Sequence, residues 1–123
     1  MVVEDDWVVL ELLRTVLQAE GYEVLVAPEP TAAVALLKAR PPDVIVTDFF
    51  AGTSPESCQR SLDGLLEAAG DIPILGITGR RFDPDVPASA FGVDDIVAKP
   101  FDVDELAERV EALLRSQGPN AQR

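Results

Sequence analysis

A chain of 123 residues, with 22 acidic and 10 basic side chains, a formal net charge of -12 and no histidine, has room for one hydrophobic core and not for two. So acidic a surface repels phosphate backbones and anionic lipids, which argues against direct nucleic-acid or membrane binding. The missing histidines and the single Cys58 remove histidine triads, phosphohistidine carriage, multi-cysteine metal sites and an internal disulfide.

Along the chain, short apolar runs alternate with helical patterns. Val2 and Val3 run straight into Glu4, Asp5 and Asp6. Val9, Leu13, Val16 and Leu17 recur at helical spacing from Trp7 to Glu20, and Gly21 is a fitting stop. A strand is predicted over Glu23–Ala27, then a helix over Thr31–Ala39 that Pro41 and Pro42 end. The β-branched run Asp43–Asp48 is a third strand. A loop is predicted from Phe49 to about Ser57, and a third helix over Ser61–Ala69. Ile72–Thr78 reads as a buried strand. Between Gly79 and Phe91, Pro84 and Pro87 leave only a short or irregular fourth helix, since an interior proline costs roughly 3 kcal/mol. Ile96–Ala98 is the fifth strand. Asp102 caps the last helix, with Glu105 three residues on and Leu106, Val110 and Leu113 on one face. Residues 1–116 form one domain; 117–123 read as a polar tail or the start of a linker. The start carries neither a basic segment nor a long apolar stretch, and no run approaches the ~20 apolar residues of a membrane span. A cytoplasmic location is therefore expected.

Strands alternating with helices imply an α/β fold, a doubly wound five-stranded parallel sheet with helices on both faces. Ligands bind such sheets at the strand ends. Glu4, Asp5 and Asp6 end the first strand, Asp48 the third, Thr78 and Gly79 the fourth, and Lys99 and Pro100 the fifth. One acid at a helix start is usually a cap, but packing does not demand acids, a hydroxyl and an amine at successive strand ends. Hard carboxylate oxygens suit Mg²⁺. Thr78 and Lys99 could hold phosphoryl oxygens, and an ionised aspartate can be a nucleophile.

The stretches Val2–Asp6, Glu20–Val24, Pro42–Asp48, Asp63–Gly64, Ile72–Gly79 and Gly92–Phe101 together resemble a receiver domain of a two-component response regulator. The resemblance implies a flavodoxin-like strand order, 2-1-3-4-5. It implies Asp48 as acceptor of a phosphoryl group from a sensor histidine kinase or phosphotransfer protein, in a Mg-dependent reaction. Glu4 and Asp5 match the metal-holding acidic pair, with Asp5 the direct ligand, Glu4 acting through water, and Asp6 a helix cap. Asp48 and the backbone carbonyl of Phe50 complete the metal ligands. Thr78 matches the switch hydroxyl, Gly79 the residue whose amide meets the phosphoryl group, and Lys99 the lysine that precedes a usually cis proline bond, here Pro100. Such a domain is a phosphoacceptor with self-limited chemistry rather than a turnover enzyme. It signals to a downstream protein or a fused output domain, with homodimerisation left open.

Several positions depart from the pattern. Asp48 and Gly64 are 16 positions apart, about twice the family's spacing, and Gly52 replaces a proline. Ile96 stands where an aromatic often moves with the switch threonine. Only three residues precede Glu4, which leaves an upstream start open. These departures favour a second reading, a pseudo-receiver that binds proteins independently of phosphorylation. A phosphatase using Asp48 as nucleophile is disfavoured, because Phe50 stands where a general acid would be needed. Single residues read blandly: Trp7 as helix-start packing, Cys58 as an ordinary loop thiol, Arg80 as a solvated side chain.

Overall fold

The computed structural model describes residues 1–79 and 82–121. Arg80 and the last two residues of the expected tail thus lie outside the described residues. Five parallel strands form one sheet in the order β2-β1-β3-β4-β5. They are β1 (Val2–Val3), β2 (Val26–Ala27), β3 (Ile45–Asp48), β4 (Ile74–Thr78) and β5 (Asp95–Ala98). The helices are α1 (Trp7–Ala19), α2 (Pro30–Ala39), α3 (Pro55–Arg60), α4 (Asp63–Ala69) and α5 (Val103–Ala121), with a 3₁₀ turn over Ala88–Phe91.

Successive strand residues point to opposite faces, so the sheet divides two cores. Val3, Ile45 and Ile74 pack with Ala33, Leu37, Leu62, Leu65 and Phe91 under α2, α3, α4 and the 3₁₀ turn. Val2, Val46 and Leu75 pack with Leu13, Leu17, Leu106 and Val110 under α1 and α5. Strands β1, β3 and β4 are covered on both faces and read as apolar runs. No described helix is long and apolar enough to cross a membrane.

The helix ends follow local chemistry. Asp6 Oδ1 accepts from the Val8 and Val9 amides, at 2.9 and 3.3 Å. Asp102 Oδ1 accepts from the Asp104 amide at 2.8 Å. Such caps stabilise a helix by about 1 kcal/mol. Gly21, after α1, has φ 93°, which other residues rarely adopt. Helix α5 continues past Ser116, where the apolar periodicity ends, to Ala121.

Two elements differ from the sequence expectation. Strand β2 is two residues long, not five, because it is an edge strand with β1 as its one partner. The stretch predicted as a loop to Ser57 holds a helix of its own, α3. Ser54 Oγ accepts from the Ser57 amide at 3.2 Å, and Ser57 Oγ accepts from the Ser54 amide at 2.9 Å. This reciprocal capping box, with Pro55 in the first turn, starts α3. Cys58 is consequently a buried helix residue rather than a loop thiol. The segment with Pro84 and Pro87 forms no regular helix, as expected; among its described residues only the 3₁₀ turn is regular, and Gly92, at φ 77°, ends it.

Candidate functional site

The parallel register gathers the strand ends. Val3 pairs with Thr47, so Glu4 and Asp48 follow side by side. Thr78 pairs with Ala98, so Lys99 comes next along that edge, and its amide donates to the Thr78 carbonyl at 2.7 Å. Glu4, Asp5 and Asp48 each offer an oxygen within 4.8 Å of the others. Lys99 Nζ lies 3.4 Å from both Glu4 Oε1 and Asp48 Oδ1. The Lys99–Pro100 peptide bond is cis. Asp48, Phe50, Thr78, Gly79 and Lys99 line one open cleft. Asp6 turns away from the acid cluster to cap α1.

The electrostatics of the cluster are unbalanced. Glu4 is 1% exposed. Its Oε1 accepts from the Asp6 amide at 3.2 Å, while Oε2 is buried with no hydrogen-bond partner among the described residues. Burial, and next the Asp48 charge, raise the Glu4 pKa against the pull of Lys99. Burial likewise raises that of Asp48, with Lys99 opposing it and Asp5 adding to it. Burial would lower the Lys99 pKa, but Asp48 and Glu4 outweigh it and raise it. One ammonium thus faces two of the three clustered carboxyl groups, Glu4 and Asp48, and Glu4 keeps an unpaired buried oxygen, a costly state without a further cation. An all-oxygen donor set of this kind fits a hard divalent ion such as Mg²⁺. The arrangement can hold a cation beside a carboxylate nucleophile, with a hydroxyl and an ammonium across the cleft.

The sequence reading missed one feature of the rim. Trp7 and Val8 open α1 at 70% and 74% exposed, so the helix-start packing expected of Trp7 leaves most of its side chain in solvent. The buried stripe of α1 is Leu10, Leu13 and Leu17, whereas Trp7 stands beyond the end of β1 at Val3. Hydrophobicity alone could not separate these positions.

The family model for the response regulator receiver domain matches residues 1–111. The chain is 35% identical over 121 residues to the phosphate regulon transcriptional regulatory protein PhoB of Pseudomonas aeruginosa, covering 97% of this chain and 52% of that protein. It is 36% identical over 127 residues to the response regulator MprA of Mycobacterium sp. (strain KMS), covering 98% of this chain and 52% of that one. The chain therefore spans about half the length of these curated relatives. Among solved structures, the receiver domain of NtrX from Brucella abortus superposes with TM-score 0.77 at 27% identity, covering 93% of this chain and 96% of that one. On its sequence, strand order and relatives, the chain belongs to the response regulator receiver domain family of two-component systems.

Proposed function

We propose that this receiver accepts a phosphoryl group on Asp48 from a phosphohistidine of a sensor kinase or phosphotransfer protein. It is a phosphoacceptor and not a turnover enzyme. The observation that carries the reading is the Asp48 carboxylate 3.4 Å from Lys99 Nζ, in a cluster where Glu4 Oε2 is buried without a partner. Asp5, Asp48 and the Phe50 carbonyl would hold Mg²⁺, with Glu4 adding to the negative cradle. Bound there, the ion would neutralise charge on the phosphoryl oxygens.

The residues divide the work. An Asp48 oxygen attacks phosphorus, the P–N bond to the donor imidazole breaks, and its electron pair leaves with the imidazole nitrogen. The product is an acyl phosphate. Lys99 follows the charge from the carboxylate to the phosphoryl oxygens, and the Thr78 hydroxyl and Gly79 amide donate to them. The donor must reach Asp48 past the rim, where exposed Trp7 and Val8 offer it an apolar footing. The signal then passes to a downstream protein or a fused output domain, as in a family that pairs kinases with outputs.

Incubation with a small acyl phosphate and Mg²⁺, read by intact mass, tests the proposal. One added phosphoryl group, absent in Asp48→Asn and after chelation, supports it. No addition beside a working receiver would favour the alternative, a pseudo-receiver with a fixed binding surface. The irregular stretch over residues 82–87 is the observation on that side.

A further inference from the structure

Phe49 sits between two groups of the proposed reaction, the Asp48 carboxylate and the Phe50 carbonyl. Its ring lies against the backbone of β4 at Gly76. A Cβ at Gly76 would fall 2.6 and 2.7 Å from Phe49 Cζ and Cε2, so ring and strand are in direct contact. Strand β4 is held on both sides, by β3 and β5, and cannot give way. On its free side the ring meets Phe91, with centroids 5.5 Å apart, and Phe91 meets Phe82 edge-on at 4.8 Å.

Phe91 belongs to the 3₁₀ turn, the one helical element among the described residues between β4 and β5. It is 1% exposed, so it cannot move without its neighbours. Helix α3 rests on the same turn: a Cβ at Gly92 would fall 2.9 Å from Gln59 Cγ and Cδ. The helix that follows Asp48 and the turn that precedes β5 are thus packed as one unit, with Phe49 as the side chain shared with the site. Ile96, partly buried, packs on this same cluster. As a β-branched residue it is stiff at χ1 and is a poor mover.

Resting on the proposed phosphorylation of Asp48, we propose that Phe49, Phe91 and Phe82 form the coupling element that reports the state of this site to residues 82–93. A shift of the 48–50 backbone as Asp48 takes up the phosphoryl group displaces the Phe49 ring. With Gly76 and β4 as a fixed floor, the displacement goes into Phe91 and the 3₁₀ turn. A packed cluster of this kind has few discrete arrangements, so a small input becomes a change of state.

The test uses the full chain, Mg²⁺ and beryllium fluoride as the phosphoryl mimic, with hydrogen exchange of residues 82–93 as readout. Acyl phosphate uptake by intact mass runs in parallel. In the wild type, exchange of this segment is expected to change by at least about threefold on adding the mimic. Phe82→Leu and Phe91→Leu keep the apolar volume but lose the ring contacts. Both are expected to take up one phosphoryl group while the segment's response falls to within error. Phe82→Leu, at the less buried position, decides the matter if Phe91→Leu does not fold. A wild-type segment that does not respond although Asp48 is phosphorylated overturns this inference alone. So does an undiminished response in a folded variant. Absence of phosphoryl uptake in the wild type overturns the proposed function, and the coupling with it.

Discussion

Glu4 and Asp48 hold their carboxyl groups above the ordinary range, chiefly through burial. The folded chain therefore retains protons that the unfolded chain has released. Stability from these groups is fully present below the ordinary values of 4.5 and 3.8 and is lost as pH rises through the raised ones. Without divalent cations, the thermal midpoint should fall as pH rises above about 4.5, and Glu4→Gln should flatten that slope. An unchanged slope in the folded variant would show that Glu4 is not the titrating group. Lys99→Met removes the ammonium that faces both carboxylates. It should cost roughly 1–3 kcal/mol in denaturant titrations near pH 7 and markedly less near pH 4.5. The acids and the lysine were legible in the sequence because each follows an apolar run. Their imbalance was not, since it depends on how deeply Glu4 is buried and on which oxygen finds a partner.

The elements around Asp48 turn on two small residues. Gly52 has φ +125°, and a Cβ there would fall 2.5 Å from the Cys58 nitrogen. Gly52→Ala should therefore cost more than about 2 kcal/mol, combining left-handed strain with a backbone clash. Ser54→Ala removes half of the α3 capping box and should cost about 1 kcal/mol. Equal, negligible effects in urea unfolding would mean that α3 contributes nothing to the fold. The long helices were readable from their periodicity and caps. Helix α3 was not, because six residues are too few to show a 3.6-residue period and Ser57 stands where a capping box normally has Glu or Gln. The loss of a regular helix before β5 was readable, because Pro84 and Pro87 each remove an amide donor.

Over the whole molecule, strand order and strand ends determine which residues can meet, and both were accessible from the alternation of elements and the family resemblance. Contacts between elements were not: Phe49, Gly76 and Phe91 belong to no common motif and meet only through the sheet register. If Mg²⁺ binds the ionised cluster, ten times its Kd should stabilise the fold by about 1.4 kcal/mol near pH 7.5 and by almost nothing near pH 4.5. Thermal melts with and without the ion check this, and an equal shift at both pH values would place the ion elsewhere. Trp7→Ala should slow transfer from a phosphorylated kinase while leaving uptake from a small acyl phosphate unchanged; equal slowing of both would remove Trp7 from the donor's footing. Asp48 itself is addressed most directly by reductive trapping. Borohydride converts an aspartyl phosphate to homoserine, which peptide mass spectrometry locates. After treatment with acyl phosphate and Mg²⁺, homoserine is expected at position 48 and at no other acid. Homoserine at Asp5 instead, or none anywhere under conditions that label another receiver, would contradict it.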